Sequence, residues 1–112
     1  MKVSDLVSTG EFHLFTEIDA DPPIKGCYIG DLLSWVMAHL EESQSWVTIQ
    51  SHVNVVAVAV LNEASCVILA EGSQLDEDAK AKAEEENLPV LSSRLSAYEI
   101  AVLINRMLMK ND

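Results

Sequence analysis

A chain of 112 residues with seven basic and eighteen acidic side chains carries a net charge of −11 at neutral pH. Phosphate backbones and anionic membrane surfaces are bound through clustered Lys and Arg, so this balance excludes a general nucleic-acid binder and a membrane-surface protein. A hydrophobic share of 49% beside 22% charged residues is that of a globular chain of one-domain length rather than a disordered one.

Val3 to Val7 reads as a short helix and Phe12 to Ile18 as a strand, together an N-terminal piece over residues 1–20. Asp19-Ala20-Asp21-Pro22-Pro23 breaks the chain, because two prolines remove backbone donors and force extended geometry. An alternating βα core is predicted over 24–109. Gly26 to Gly30 is a short β-like piece. Asp31 then opens a helix with Leu32, Leu33, Val36, Met37 and Leu40 as its apolar face. Trp46 to Ile49 is strongly β-forming.

Val53 to Leu61 admits two readings: a strand hairpinned to the next apolar run through Asn62-Glu63-Ala64-Ser65, or a buried helix apolar on every side. Its length and the alternation around it favour the helix. Cys66 to Ala70 is a continuous apolar run, the pattern of a strand covered on both faces, and Gly72-Ser73 ends it. Leu75, Ala79 and Ala83 line the next helix, with Asp76 and Lys80, and Asp78 and Lys82, spaced for ion pairs. Pro89 to Leu91 is the last strand. Ser96-Ala97-Tyr98-Glu99 is a capping box before a helix buried through Ile100, Leu103, Ile104, Met107 and Leu108. Met37, Met107 and Met109 read mostly as packing residues; Met109 is exposed if this helix contributes to a dimer. The predicted class is α/β: a single compact domain over 1–112, mainly parallel, with helices on the faces of its sheet.

The sequence has no phosphate-binding loop, no dinucleotide fingerprint and no nucleophile elbow. No His or Cys spacing seeds a metal site, so neither metal nor cofactor is expected. Cys27 and Cys66 read as reduced, buried thiols of a cytoplasmic protein. The longest apolar run, Val55 to Leu61, is far short of the roughly 20 residues that cross a bilayer, and the first residues do not resemble a secretory signal.

In open parallel sheets, ligands bind outside the carboxyl ends of the strands. Three strands deliver polar residues there: Gln50, Ser51, His52 and Asn54; then Glu71, Gly72 and Ser73; then Ser92, Ser93 and Arg94. Each group leads into a helix N-terminus, and His52 and Arg94 supply the positive charge. Taken singly, the serines and Asn54 are equally well explained as helix caps. Only their convergence makes them a candidate ligand site. His52 has no acidic orienter beside it in sequence, so no catalytic role is expected of it. His13 reads as a surface or satisfied core residue and His39 as a helix C-terminal one. Asp76-Glu77-Asp78 and Glu84-Glu85-Glu86 read as a solvated helix face, although the later glutamates oppose the helix dipole.

Gly26 to Ser34, Trp46 to Ala59, Ile68 to Gly72 and Leu88 to Ser96 together resemble the DRTGG-domain family. The last stretches also resemble the N-terminal domain of HPr kinase/phosphorylase. The resemblance implies a compact α/β regulatory or accessory module, of the kind found beside CBS domains in regulated pyrophosphatases, in some phosphotransacetylases and as a stand-alone protein. It implies a homodimer without catalytic activity, with a nucleotide or phosphometabolite as the class of ligand. The alternative is an adaptor that docks on a larger metabolic enzyme or signalling protein. The namesake Asp-Arg-Thr-Gly-Gly string is absent; the motif-related residues are Gly26, Tyr28 and Asp31, with Cys27 standing where a glycine would. No kinase activity carries over, since the phosphate-binding loop of that enzyme belongs to a separate catalytic domain.

Overall fold

The alternation is realised in a computed structural model that describes residues 1–110. The elements are α1 (Val3–Ser8), β1 (His13–Leu14), β2 (Gly26–Ile29), α2 (Leu33–His39), β3 (Gln44–Thr48), α3 (Val53–Leu61), β4 (Cys66–Leu69), α4 (Glu77–Glu85), β5 (Val90–Ser92) and α5 (Ala97–Lys110). The strands form one sheet in the order β1-β5-β4-β3-β2. Four of them are parallel, with Tyr28 beside Trp46, Trp46 beside Val67 and Val67 beside Val90. β1 alone runs antiparallel, His13 lying beside Ser92.

Successive strand residues point to opposite faces, and here both faces are covered. Trp46, Val67, Leu69 and Val90 pack with Val36, Val55, Val56, Ala79 and Ala83 of α2, α3 and α4. Val47, Cys66, Ile68 and Leu91 pack with Val3 and Leu6 of α1 and with Ile100 and Ile104 of α5. Trp46 is fully buried, and its indole N–H donates to the Gly30 carbonyl at 2.9 Å. The helical reading of Val53–Leu61 holds, which excludes the hairpin. Valine is a poor helix former. Burial of Val55, Val56, Val58 and Ala59 between sheet and neighbouring helices outweighs that preference.

Several local expectations are corrected. The strand expected over Phe12 to Ile18 contracts to two residues, because the Thr16 hydroxyl takes over the pairing. It donates to the Leu88 carbonyl and accepts the Val90 amide at 3.1 Å. Asp31 does not cap α2, which begins at Leu33. That seven-residue helix buries a narrow stripe through Val36 and Leu40, leaving Leu32 68% and Met37 47% exposed. The expected pairs on α4 are replaced. Lys80 lies over the Phe15 ring at 5.3 Å from its centroid, while Lys82 reaches Glu86 at 3.2 Å and Glu85 at 3.8 Å. The hydrogen bond that the Lys82 ammonium donates to the Glu86 carboxylate raises the Lys82 pKa. Glu84 accepts the Glu17 amide at 2.7 Å, so the late glutamates answer local donors rather than the dipole.

Cys27 and Cys66 flank Ser45 on adjacent strands in register. Two strand spacings, about 10 Å, exceed the roughly 7 Å limit for a disulfide. Both thiols are free. Burial pushes the Cys66 thiol up to about 12 and raises that of Cys27, against a hydrogen bond from Ser45. At the start of α1, Asp21 accepts the Ser4 hydroxyl at 2.7 Å and its amide at 2.8 Å, which holds the Asp21 carboxyl below its ordinary value. Among the described residues, no helix is long and apolar enough to cross a membrane.

Ile68, fully buried between β4 and the α1/α5 layer, is expected to lose about 2–5 kcal/mol of stability on substitution by Ala. Exposed Leu61→Ala is expected to stay within about 0.5 kcal/mol of the parent. Urea midpoints at an unchanged m-value check both.

Candidate functional site

Two clusters form at the carboxyl edge of the sheet. The first ties β2 to β3. Asp31 follows β2, and one of its carboxylate oxygens accepts both the Thr48 hydroxyl at 2.7 Å and the Ile49 amide at 3.0 Å. Gln50 closes the tie: its side-chain amide donates to the Asp31 carbonyl at 3.0 Å and its backbone amide to the Thr48 hydroxyl at 3.2 Å. Ser73 donates its hydroxyl to the Ile49 carbonyl, and the Ser51 carbonyl accepts the Asp76 amide. His52 caps α3, its Nδ1 accepting the Asn54 amide at 3.1 Å. That bond fixes the neutral tautomer with the proton on Nε2. In this cluster the polar groups of the chain largely satisfy one another.

The second cluster encloses space. A cavity of about 700 Å³ is lined by Gly10, Glu11, Phe12, His13, Gly72, Gln74, Ser92, Ser93 and Arg94. The volume falls within the range of small-molecule sites. Its floor comes from the turn after β4, where Glu71 and Gly72 both adopt left-handed backbone, φ +56° and +76°. Glycine takes that conformation freely, whereas Glu71 takes it at a cost of roughly 1 kcal/mol. The turn is held by amide bonds from Glu71 to the Leu95 carbonyl at 2.9 Å and from Gly72 to the Ser93 carbonyl at 2.8 Å. The Ser93 hydroxyl accepts the Leu95 amide, aiming the chain toward α5. Ser96 and Glu99 then cap each other's amides at 3.2 and 3.1 Å, forming the capping box read from sequence. With those amides taken, an anion entering here meets side chains first: Arg94 and His13, with Glu11 opposing.

The candidate residues therefore divide. Gly72, Ser92, Ser93 and Arg94 line the cavity, and Glu71 forms its turn. Gln50, Ser51, His52 and Asn54 belong to the other cluster and do not line it. His13, rather than His52, stands alongside Arg94. Sequence reasoning missed Gly10, Glu11, Phe12, His13 and Gln74. The antiparallel direction of β1 is what brings its first residues to the carboxyl edge of β5, and β-propensity carries no strand direction. Among the described residues, no group of three or more His, Cys, Asp or Glu side chains could hold a metal ion.

A mainly parallel, doubly covered sheet defines an α/β domain, and its polar cavity lies at the carboxyl edge, where open parallel sheets bind ligands. The DRTGG domain model matches residues 29–107, and the chain belongs to that family. Asp31 falls inside the match, while Gly26 and Tyr28 precede it. No curated protein matches the sequence. Among solved structures, the crystal structure of the CBS and DRTGG domains of the regulatory region of Clostridium perfringens pyrophosphatase, in complex with its activator diadenosine tetraphosphate, is similar with a TM-score of 0.72. The two are 13% identical, and the likeness covers 91% of this chain and 45% of that one.

Removing the Asp31 carboxylate leaves the buried Thr48 hydroxyl without its acceptor. Asp31→Ala is expected to cost about 1–3 kcal/mol, and Asp31→Asn, which keeps an acceptor oxygen, well under half of that. Equilibrium unfolding of the two variants beside the parent separates them.

Proposed function

We propose that this chain is a non-catalytic regulatory module that binds a small anionic ligand, a nucleotide or phosphometabolite, in the cavity between β1, β5 and β4. The observation that carries the reading is the convergence of His13, Gly72, Ser93 and Arg94 on one space at the carboxyl edge of the sheet. The net charge of −11 opposes anions at long range, but screening at physiological salt limits that effect to about 8 Å. Inside the cavity, Arg94 and His13 decide. Glu11 limits the charge the site accepts, favouring ligands with few exposed phosphates. The DRTGG family and the activator bound in the regulatory region of the pyrophosphatase support the class of ligand. Two free thiols support a cytoplasmic setting.

A second reading, an adaptor that docks on a larger enzyme, is favoured by an apolar surface at the β2 end of the sheet. Ile29, Leu32, Trp35 and Ile49 are exposed there, Trp35 by 58%, with His39 stacked on its ring at 4.1 Å. An exposed tryptophan among aliphatic side chains is the composition of a protein-binding patch.

Thermal unfolding in the presence of AMP, ATP, diadenosine tetraphosphate and sugar phosphates distinguishes the two. A compound present at about 100 times its dissociation constant adds ~2.7 kcal/mol, which raises the melting temperature by several degrees. The expected result is such a rise with one compound class, abolished in Arg94→Ala/His13→Ala and kept in Gln50→Ala/His52→Ala. A rise that survives the first pair of substitutions contradicts the site. A flat panel moves the weight to the adaptor.

A further inference from the structure

Both arginines of the chain border open space instead of an acidic partner. Arg94 lines the cavity of about 700 Å³, and Arg106 lines a groove of about 480 Å³ along α5. Among the described residues neither guanidinium forms an ion pair. With Lys110, also in the groove, they set three of the seven basic residues against two carboxylates, Glu11 and Glu99. On a chain with a net charge of −11, that is a local positive exception. The two spaces adjoin, because the same two segments border both. In the turn after α1, Gly10 lines the cavity, Thr9 the groove and Glu11 both; in the β5–α5 connection, Arg94 lines the cavity and Leu95 the groove. A hydroxyl holds each segment in shape. That of Thr9 donates to the Leu6 carbonyl at 2.7 Å and accepts the Glu11 amide at 3.2 Å, and that of Ser93 accepts the Leu95 amide at 3.1 Å.

The two halves differ in chemistry. The cavity offers hydroxyls, His13 and Arg94, which suit an anionic head. The groove is walled by Leu95, Val102, Leu103 and Met107, with Tyr98 76% exposed beside them. Aromatic and thioether groups favour a flat π-system, and a guanidinium such as Arg106 stacks on one. Glu11 narrows the choice further. Among the described residues its carboxylate has no hydrogen-bond partner. An acyl chain laid in the groove would cover that carboxylate without answering it, whereas a ring carrying an amino group donates to it. We propose that cavity and groove form one cleft for a nucleoside monophosphate with an amino-bearing base. The phosphate lies beside Arg94 and His13, the base lies in the groove against Leu95 and Tyr98, and its exocyclic amino group donates to Glu11. This rests on the cavity reading above and adds to it the α5 subsite and the choice of base.

Isothermal titration calorimetry of the full chain with AMP, CMP, IMP, UMP and ribose 5-phosphate tests it. IMP and UMP are the oxo counterparts of AMP and CMP, and ribose 5-phosphate has no base. At least one of AMP and CMP is expected to bind about fivefold or more tightly than its oxo counterpart. The same nucleotide is expected to exceed ribose 5-phosphate by at least about fivefold, the contribution of a stacked base. Tyr98→Ala closes the gap to ribose 5-phosphate, and the exposure of Tyr98 lets the fold tolerate the change. Glu11→Gln, whose amide both donates and accepts, erases the preference for the amino-bearing base. Ribose 5-phosphate bound as tightly as every nucleotide overturns the base subsite alone, as does a preference that survives both Tyr98→Ala and Glu11→Gln. In those cases loss of ribose 5-phosphate binding in Arg94→Ala/His13→Ala still upholds the cavity reading. Nucleotide binding that persists in Arg94→Ala/His13→Ala, or no binding by any of the five compounds, overturns the cavity reading and this inference with it.

Discussion

A parallel sheet has no polar face, and most of this fold follows from that constraint. Strands joined by crossover helices are covered on both sides, so β3 and β4 are mostly apolar where they point into a layer, and the buried hydroxyls of Ser45 and Thr48 donate to the Gly26 carbonyl and the Asp31 carboxylate. Trp46, Val67 and Leu69 serve one layer, and Val47, Cys66 and Ile68 the other. The same demand explains a valine-rich helix. α3 sits in the layer beside α2 and α4, and its side chains are chosen for burial rather than for helix propensity. It also explains two cysteines as packing residues, one with its thiol raised to about 12 by burial.

With both faces occupied, the free backbone and polar chemistry of the sheet is driven to its edges. At the carboxyl edge the chain does two different things. Between β2 and β3 it spends its polar groups on itself, through Asp31, Thr48, Gln50 and the His52 cap. Between β4, β5 and β1 it leaves a cavity, because the left-handed turn at Glu71 and Gly72 folds back onto the β5–α5 connection instead of filling the space. The contrast leaves one end of the edge a closed clasp and the other an open cavity. It also places Arg94 on the cavity side.

Much of this was legible in the sequence. The strand and helix order was readable from periodicity, since apolar runs at Trp46 and Cys66 and the capping box at Ser96 obey local rules. The ambiguous Val53–Leu61 resolved in favour of the alternation around it. The rest lay in long-range geometry. His13 reaches the cavity through antiparallel pairing with Ser92, which no local pattern announces. Asp31 had the look of a cap and became a clasp, because Thr48 and Ile49 arrive at it from another strand. Leu32 and Met37 fitted an amphipathic face, yet a seven-residue helix has too little length to bury both flanks.

The division of the carboxyl edge into a clasp and a proposed ligand cavity is tested most directly by two-dimensional amide NMR during titration with ATP and, separately, with inorganic phosphate. The account predicts shifts that cluster at His13, Gly72, Ser93 and Arg94, with the amides of Gln50 to Asn54 unmoved. Shifts centred on Gln50 to Asn54 would place the ligand on the clasp and contradict it.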